Sequence, residues 1–286
     1  MEHRIGSAFA ACVLMLLTRS ALAQDIFDGW ADAAAAARAS QPEWSSPIVT
    51  SPVPLEQRLR FDVDQEHSGN GADTTVLDGG RGLDLIVTPT NEIQIAAPPY
   101  ELRPAIAGAK PIAGFADWTF LRLEQRLAAS PESAGDYVVT AWLQIAAPTG
   151  IQALTNHAWS LQPTLAFGKG WGRFDIQSTV TAVLPTADAH TLGQQIQTNA
   201  ALQYHLGDFF WPEIEANWTY YPDGQRAGLN QLFLTPGLAV GRLTLSQALK
   251  LTLAIGYQFS VSPDYRPKPL TPAYAQGLLL SSRINF

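Results

Sequence analysis

The 286-residue chain has a single cysteine, Cys12, only two methionines and five histidines, and charged residues make up just 15% of it. Cys12 falls inside a segment, residues 1–23, that reads as a secretory leader. Arg4 forms a short basic region, an apolar stretch runs from Ala8 to Leu17, and Ala21-Leu22-Ala23 supplies a small-x-small cleavage pattern before Gln24. A mature chain cut there contains no cysteine, so disulfides cannot hold it; stability must come from burial or from a closed hydrogen-bond network. The leader's apolar stretch is too short for a bilayer, which takes about 20 residues, and no longer apolar run follows it. That excludes helical membrane spans. The formal charge of −7 becomes one unit more negative without the leader; such mild acidity argues against nucleic acid as a partner.

What the chain does have is alternation. Residues 24–54 stand apart: "DGWADAAAAARAS" has helix-forming composition and "QPEWSSPIVTSPVP" is a Pro and Ser linker. Because so short a helix is marginal alone, the expectation is a poorly ordered periplasmic arm, with a short periplasmic helix or plug as the alternative. From residue 55 to 286 the sequence breaks into segments with period-two patterning, the signature of a transmembrane β-barrel. In "ALKLTLAIGYQF" (248–259), Leu251, Leu253, Ile255, Tyr257 and Phe259 share one face, while Lys250, Thr252, Ala254, Gly256 and Gln258 share the other. Twelve such runs centre near residues 61, 85, 95, 122, 142, 163, 178, 200, 216, 235, 253 and 281.

The connections alternate in length. Short ones (89–91, 129–136, 168–172, 207–210 and 241–246) interleave with longer ones richer in Gly, Pro and Asp (68–80, 98–114, 148–158, 185–193, 222–230 and 260–274). Tight periplasmic turns, longer outer loops and an even strand count describe an outer-membrane barrel of a Gram-negative-type cell. The last strand then pairs with the first, and Phe286 closes the barrel at the lower aromatic girdle. A soluble β-sandwich could carry the same alternation. Against it, Trp159, Phe167, Phe174, Trp218, Tyr220, Tyr257, Phe259 and Phe286 gather at strand ends on the greasy face, where membrane interfaces favour such rings. Pro163 and Pro236 inside strands predict local bulges.

Two stretches, "QPTLAFGKGWGRFDIQSTVTAVLP" (162–185) and "LFLTPGLAVG" (232–241) after the polar "NWTYYPDGQRAGLN", resemble the outer-membrane family named for the meta-pathway of phenol degradation, whose members are labelled transporters. The terminal "SSRINF" resembles the closing strand of outer-membrane barrels generally, whose final aromatic is read by the assembly machinery. The resemblance implies a barrel in contact with outer-membrane lipid and with that machinery, passing small hydrophobic or aromatic compounds. It implies no site residues.

Candidate residues come from strand parity. In "DWTFLRLEQRL" (117–127), Arg122, Glu124 and Arg126 share parity with Trp118 and Phe120. An arginine on the lipid face near the midplane costs about 2–4 kcal/mol, so the charges face inward and take both aromatics with them. Trp142 and Phe233 also face inward. Trp118, Phe120, Arg122, Trp142 and Phe233 are therefore candidates for an aromatic constriction or ligand shelf, the alternative being plain interior filling. The remaining inward charges nearly balance: Arg58, Arg60, Arg126, Arg173, Lys250 and Arg283 against Asp62, Asp64, Asp84, Glu92, Glu124, Asp175, Glu213 and Glu215. That suits paired lumen ions in a narrow or partly plugged barrel rather than a ring of one sign.

Chemistry-bearing motifs are missing. His67, His157 and His190 fall in predicted outer loops and His205 inward, with no nucleophile motif or spaced metal-ligand set around them, so no catalytic residue, metal or cofactor is expected. A barrel enzyme acting on lipid and a closed structural barrel are the alternatives to a channel. The loop 68–80 holds Asp73 and Asp78 without the ordered spacing of a calcium loop, and is expected to be flexible.

Overall fold

The computed structural model describes residues 21–68, 71–79, 81–105, 110–262 and 274–286; most of the predicted leader lies outside them. A helix, α1 (Ala21–Ala39), precedes fifteen strand segments: β1 (Arg58–His67), β2 (Asp73–Leu77), β3 (Gly82–Thr88), β4 (Asn91–Ala96), β5 (Tyr100–Arg103), β6 (Ile112–Phe115), β7 (Trp118–Ser130), β8 (Tyr137–Ala147), β9 (Ser160–Trp171), β10 (Phe174–Pro185), β11 (Gln195–Tyr204), β12 (Phe210–Tyr220), β13 (Asn230–Thr244), β14 (Lys250–Ser262) and β15 (Gln276–Asn285). A one-turn helix, α2 (Ala189–Leu192), sits between β10 and β11.

The fifteen segments amount to twelve strands. Val63 of β1 faces Leu77 of β2 and Leu59 faces Leu83 of β3, so β2 and β3 run one after the other down the same side of β1. In the same way β4 and β5 form one broken strand, and β6 and β7 another. The three breaks line up, because Ala97 N–H donates to Arg81 O and Ala116 N–H to Pro99 O across them. Pro98 and Pro99 supply no N–H to a ladder, which accounts for the middle break. The predicted outer loops 68–80 and 98–114 are accordingly shorter than expected, since β2, β5 and β6 extend the wall through them.

All neighbours are antiparallel, and β15 pairs with β1 over ten positions from Arg58↔Asn285 to His67↔Gln276, so the sheet closes on itself. The chain's terminal alternating run is thus a wall strand. Phe286 N–H bonds Gln57 O at 3.2 Å just below it. Turns at 89–90, 131–136, 172–173, 205–209 and 245–249 mark one end and the longer connections the other. At Pro163 and Pro236 no bulge forms: the partners on either side keep one register and only rungs beside each proline are lost. The register shifts lie elsewhere, among them Thr119/Leu121 and Arg126/Ala128 in β7 and Leu232/Phe233 in β13.

Burial is inverted relative to a water-soluble domain. Leu165 is 55% exposed and Leu253 48%, while Arg58, Arg60 and Arg283 are each 1% exposed. An apolar outer belt demands a non-aqueous surrounding, and polar side chains fill the interior. Exposed rings sit near both ends of the belt: Trp171, Phe174, Phe209 and Phe210 toward the short turns, Trp159, Trp218 and Tyr257 toward the long loops. Trp218 stacks on Tyr220 with centroids 6.0 Å apart. Ile255→Arg, midway along β14 on the lipid face, is expected to lower unfolding free energy in lipid vesicles by about 2–4 kcal/mol. Thr252→Ser, on the lumen side of the same strand, should stay within about 1 kcal/mol; denaturant titration of the two variants checks the assignment of faces.

Candidate functional site: a lumen occupied by its own chain

The arm before β1 is not free. Helix α1 buries Ala34 and Ala37 against Leu55 and Ile86, and Ser40 Oγ bonds back to Ala36 O at 2.7 Å at its C-terminus. Arg126 donates at 2.9 Å to Ala37 O, where the helix leaves its carbonyls unpaired, and Arg38 in the last turn ties the helix to the closing strand by donating to Phe286 O at 3.0 Å. Tertiary contacts thereby secure a helix that its own propensity would leave marginal. Pro42 follows directly, and residues 41–57 then run into the barrel and return to β1 without regular secondary structure.

The composition of this stretch is that of a Pro and Ser linker, yet Ile48, Thr50, Val53 and Leu55 are all at most 1% exposed. Buried irregular backbone needs partners for its polar groups, and the barrel wall supplies them as ions. Ile48 N–H donates to Glu213 Oε1 at 3.0 Å, Val49 N–H to Glu215 Oε1 at 2.7 Å and Thr50 N–H to Glu215 Oε2 at 2.6 Å. On the carbonyl side, Arg283 reaches Ser46 O and, at 2.9 Å, Pro47 O; Arg60 reaches Pro47 O at 3.2 Å and Ile48 O; Arg81 reaches Val49 O at 3.0 Å. Consecutive peptide groups of the bend at 48–50 therefore point one way, N–H toward the carboxylates of β12 and C=O toward arginines on β1, β15 and the β2–β3 break. Charge-assisted bonds of this kind are about twice as strong as neutral ones.

Further partners lie around the rest of the wall. Val53 N–H donates to Gln177 Oε1 on β10 at 3.2 Å, Thr140 Oγ1 on β8 donates to Val53 O, and Trp44 Nε1 donates to Asp136 at 3.0 Å. With β1, β8, β10, β12 and β15 all contributing, the segment spans the bore. Two notches receive its side chains. A Cβ on Gly237 would stand 2.4 Å from Ile48 Cδ1, and one on Gly168 2.3 Å from the Trp44 ring, so both wall positions need glycine for close approach.

A second ionic cluster braces the point where the segment rejoins the wall. Arg58 pairs with Asp84 at 2.7 Å and with Glu56, while Arg122 pairs with Glu92 at 2.8 Å and Glu124 at 3.3 Å. Glu56 N–H donates to Glu92 Oε2 at 2.5 Å. Most of the sequence-predicted inward charges thus meet in these two networks.

The five candidate constriction residues do not meet. Arg122 lies over the Trp142 ring at 5.1 Å, and Trp142 packs with Val53, Val138 and Ala166, so these two brace the inserted segment. Phe233 faces the lumen opposite Asn217 but contacts Tyr274, centroids 5.0 Å apart. Trp118 and Phe120 leave the lumen altogether. The β7 bulge between Thr119 and Leu121 reverses the alternation above it: Thr119 pairs with Ala146 on the lumen side, and Phe120 packs edge-on against the exposed Trp159 at 6.1 Å. Trp118 Nε1 donates to Ala96 O at 2.8 Å, covering the strand break. Parity counting carried both rings inward because it had no sign of the extra residue.

Of the histidines, His67 Nδ1 lies 2.5 Å from Asp73 Oδ1 across the β1–β2 hairpin, exposed, and His205 stacks on Trp211 at 4.8 Å. Asp73 therefore belongs to a strand, and Asp78 is buried below it, so the two are not a shared ligand set. Among the described residues no group of three or more His, Cys, Asp or Glu side chains is arranged to hold a metal ion.

Above the segment a cavity of about 490 Å³ opens toward the long loops, lined by Thr119, Asn156, Gln162, Gln195 and Gln225 among others. Deeper inside, Gln177, Gln203, Asn217, Gln231 and Gln258 are buried and bonded to wall or segment. Amide and hydroxyl side chains share the cavity's lining with Ala146, Ala158, Val183, Pro185 and Leu192, and amides prevail in the layer beneath it.

No family model matches the sequence, and no curated protein does. Among solved structures, an outer membrane channel from Pseudomonas putida F1 superposes with a TM-score of 0.51 at 13% identity, covering 85% of this chain and 100% of its own. The porin NanC follows with a TM-score of 0.47 and 9% identity, over 79% of this chain and 98% of its own. The first likeness shows the fold of an outer-membrane channel.

Glu215→Ala strips Val49 and Thr50 of their acceptors, and a buried N–H left unpaired costs about 1–3 kcal/mol. The amides of residues 48–50 should then exchange with deuterium about tenfold or more faster, while those of β10 and β14 keep wild-type protection. Hydrogen-exchange mass spectrometry in detergent measures both.

Proposed function

We propose that this chain is an outer-membrane channel whose lumen is closed by residues 41–57 and opens when that segment withdraws toward the α1 side. The observation that carries this reading is the manner of holding: the backbone of residues 46–50 is held by carboxyl and guanidinium side chains of the wall, Ile48 and Trp44 sit in glycine notches and Val53 packs on Trp142, with no strand pairing. Charged contacts of that kind exchange for water when a bore hydrates, whereas a strand inserted into a ladder would not release. The channel fold shared with the Pseudomonas putida F1 protein supports the same direction.

The apolar belt supports a place in outer-membrane lipid, and Phe286 at the end of the closing strand supports handling by the assembly machinery. The resemblance to the phenol meta-pathway family favours small hydrophobic or aromatic solutes. The lining of amide and hydroxyl side chains above the segment supports polar solutes instead, and on that ground we read the passage as one for small polar compounds.

Gly237→Leu places a side chain where Ile48 sits and should push the segment out, raising single-channel conductance in planar bilayers several-fold over wild type. Adding Ile48→Gly to that variant vacates the space again and should return conductance toward the wild-type value. Equal conductance in all three proteins would make this a closed structural barrel.

A further inference from the structure

We propose that the wall site around residues 46–50 is a recognition site for short zwitterionic peptides, and that the inserted segment occupies it as a resident mimic. This rests on the reading that the segment can withdraw. The site's composition points to the ligand class. Glu213 and Glu215, 7% and 0% exposed, accept hydrogen bonds from three successive peptide N–H groups. Arg60, Arg81 and Arg283 donate to the carbonyls of four successive residues. Glu213 and Glu215 on β12 thus face Arg283 on β15, Arg60 on β1 and Arg81 at the β2–β3 break across roughly one peptide chain, and Asp62 on β1 pairs with Arg60 at 2.8 Å and Arg81 at 3.0 Å behind the site.

When the segment leaves, Glu215 and Arg283 lose their peptide partners, while Arg60 and Arg81 keep Asp62 and Glu213 keeps Gln203, each with hydrogen-bonding capacity left for a guest. A ligand that restores both sets needs N–H or ammonium groups on one side and carbonyl or carboxylate groups on the other. A short peptide bent as residues 46–50 are carries both, and its charged termini add an ammonium for the acids and a carboxylate for the arginines. Neutral sugars lack the charges, and simple ions satisfy only one half.

Recognition through backbone atoms tolerates varied sequences, the notch formed by Gly237 and Gly256 beneath Ile48 setting the one demand on a side chain. The approach from outside fits the same chemistry. The buried Gln203 and Gln258 beside the site, and Gln162 and Gln195 in the cavity above, present amide groups that pair with a peptide backbone at each step.

The test uses the full chain carrying Ile48→Asp and Val53→Asp, which sets two new carboxylates against buried surroundings and destabilises insertion while leaving the wall intact. Trialanine is the probe, with N-acetyl-trialanine amide and maltose as comparisons. Calorimetry in detergent should show saturable one-to-one binding of trialanine, about tenfold weaker binding of the capped peptide, and none of maltose. Glu215→Gln or Arg283→Met added to the double variant should each weaken trialanine by about tenfold and narrow its advantage over the capped form. In planar bilayers trialanine should interrupt the current of the double variant and leave wild type unaffected. Absence of trialanine binding, or binding indifferent to Glu215→Gln, overturns the proposal. Binding as described without any rise in conductance would instead leave the site standing and remove the gated-channel reading.

Discussion

A peptide bond placed inside a barrel and away from its ladder must find partners for both its N–H and its C=O, and nearly everything else in this molecule follows from that requirement. The wall strands satisfy one another, so they have no backbone groups to offer a guest. Side chains have to do it. Carboxylates can only accept and guanidinium groups can only donate, so a bend with aligned peptide groups calls for acids on one side and arginines on the other. The distribution of Glu213 and Glu215 against Arg60, Arg81 and Arg283 is what that geometry demands.

The same requirement explains why so many ions are buried in a chain of low charge content. Isolated, each would be costly to desolvate. Here the two networks share their charges among wall, segment and one another. Arg58, for instance, serves Asp84 in the wall while reaching Ser46 and Glu56 in the segment. Removing the segment would leave Glu215 and Arg283 without their peptide partners while the wall's own pairs persist, which is the physical basis for regarding the lumen as a binding surface rather than as filling.

The barrel itself was legible because its signal is global. Each of the twelve predicted runs coincides with a wall strand, since lipid on one side and a polar lumen on the other impose alternation over the whole circumference. What escaped was local. The bulge at Thr119–Leu121 adds one residue to a strand, and nothing in "DWTFLRL" distinguishes that from continuous alternation, so Trp118 and Phe120 were assigned the wrong face. The breaks at Arg81, Pro99 and Ala116 hid strand inside what looked like outer loops. The inserted segment stood only as the alternative of a plug for a different reason: its Pro and Ser content reads as linker, and its partners lie far away in sequence. Ile48, Val49, Val53 and Leu55 were the available hint, being too apolar for a solvated tether.

One contact bears on how the molecule is made. Arg38 at the end of α1 binds the carbonyl of Phe286, two residues separated by almost the entire chain, and Arg283 on the final strand also holds the inserted bend. Neither grip exists until the C-terminal strand has been synthesised and zipped to the first. The grip on the segment is therefore complete only in the closed barrel, and closing the wall also locks its contents.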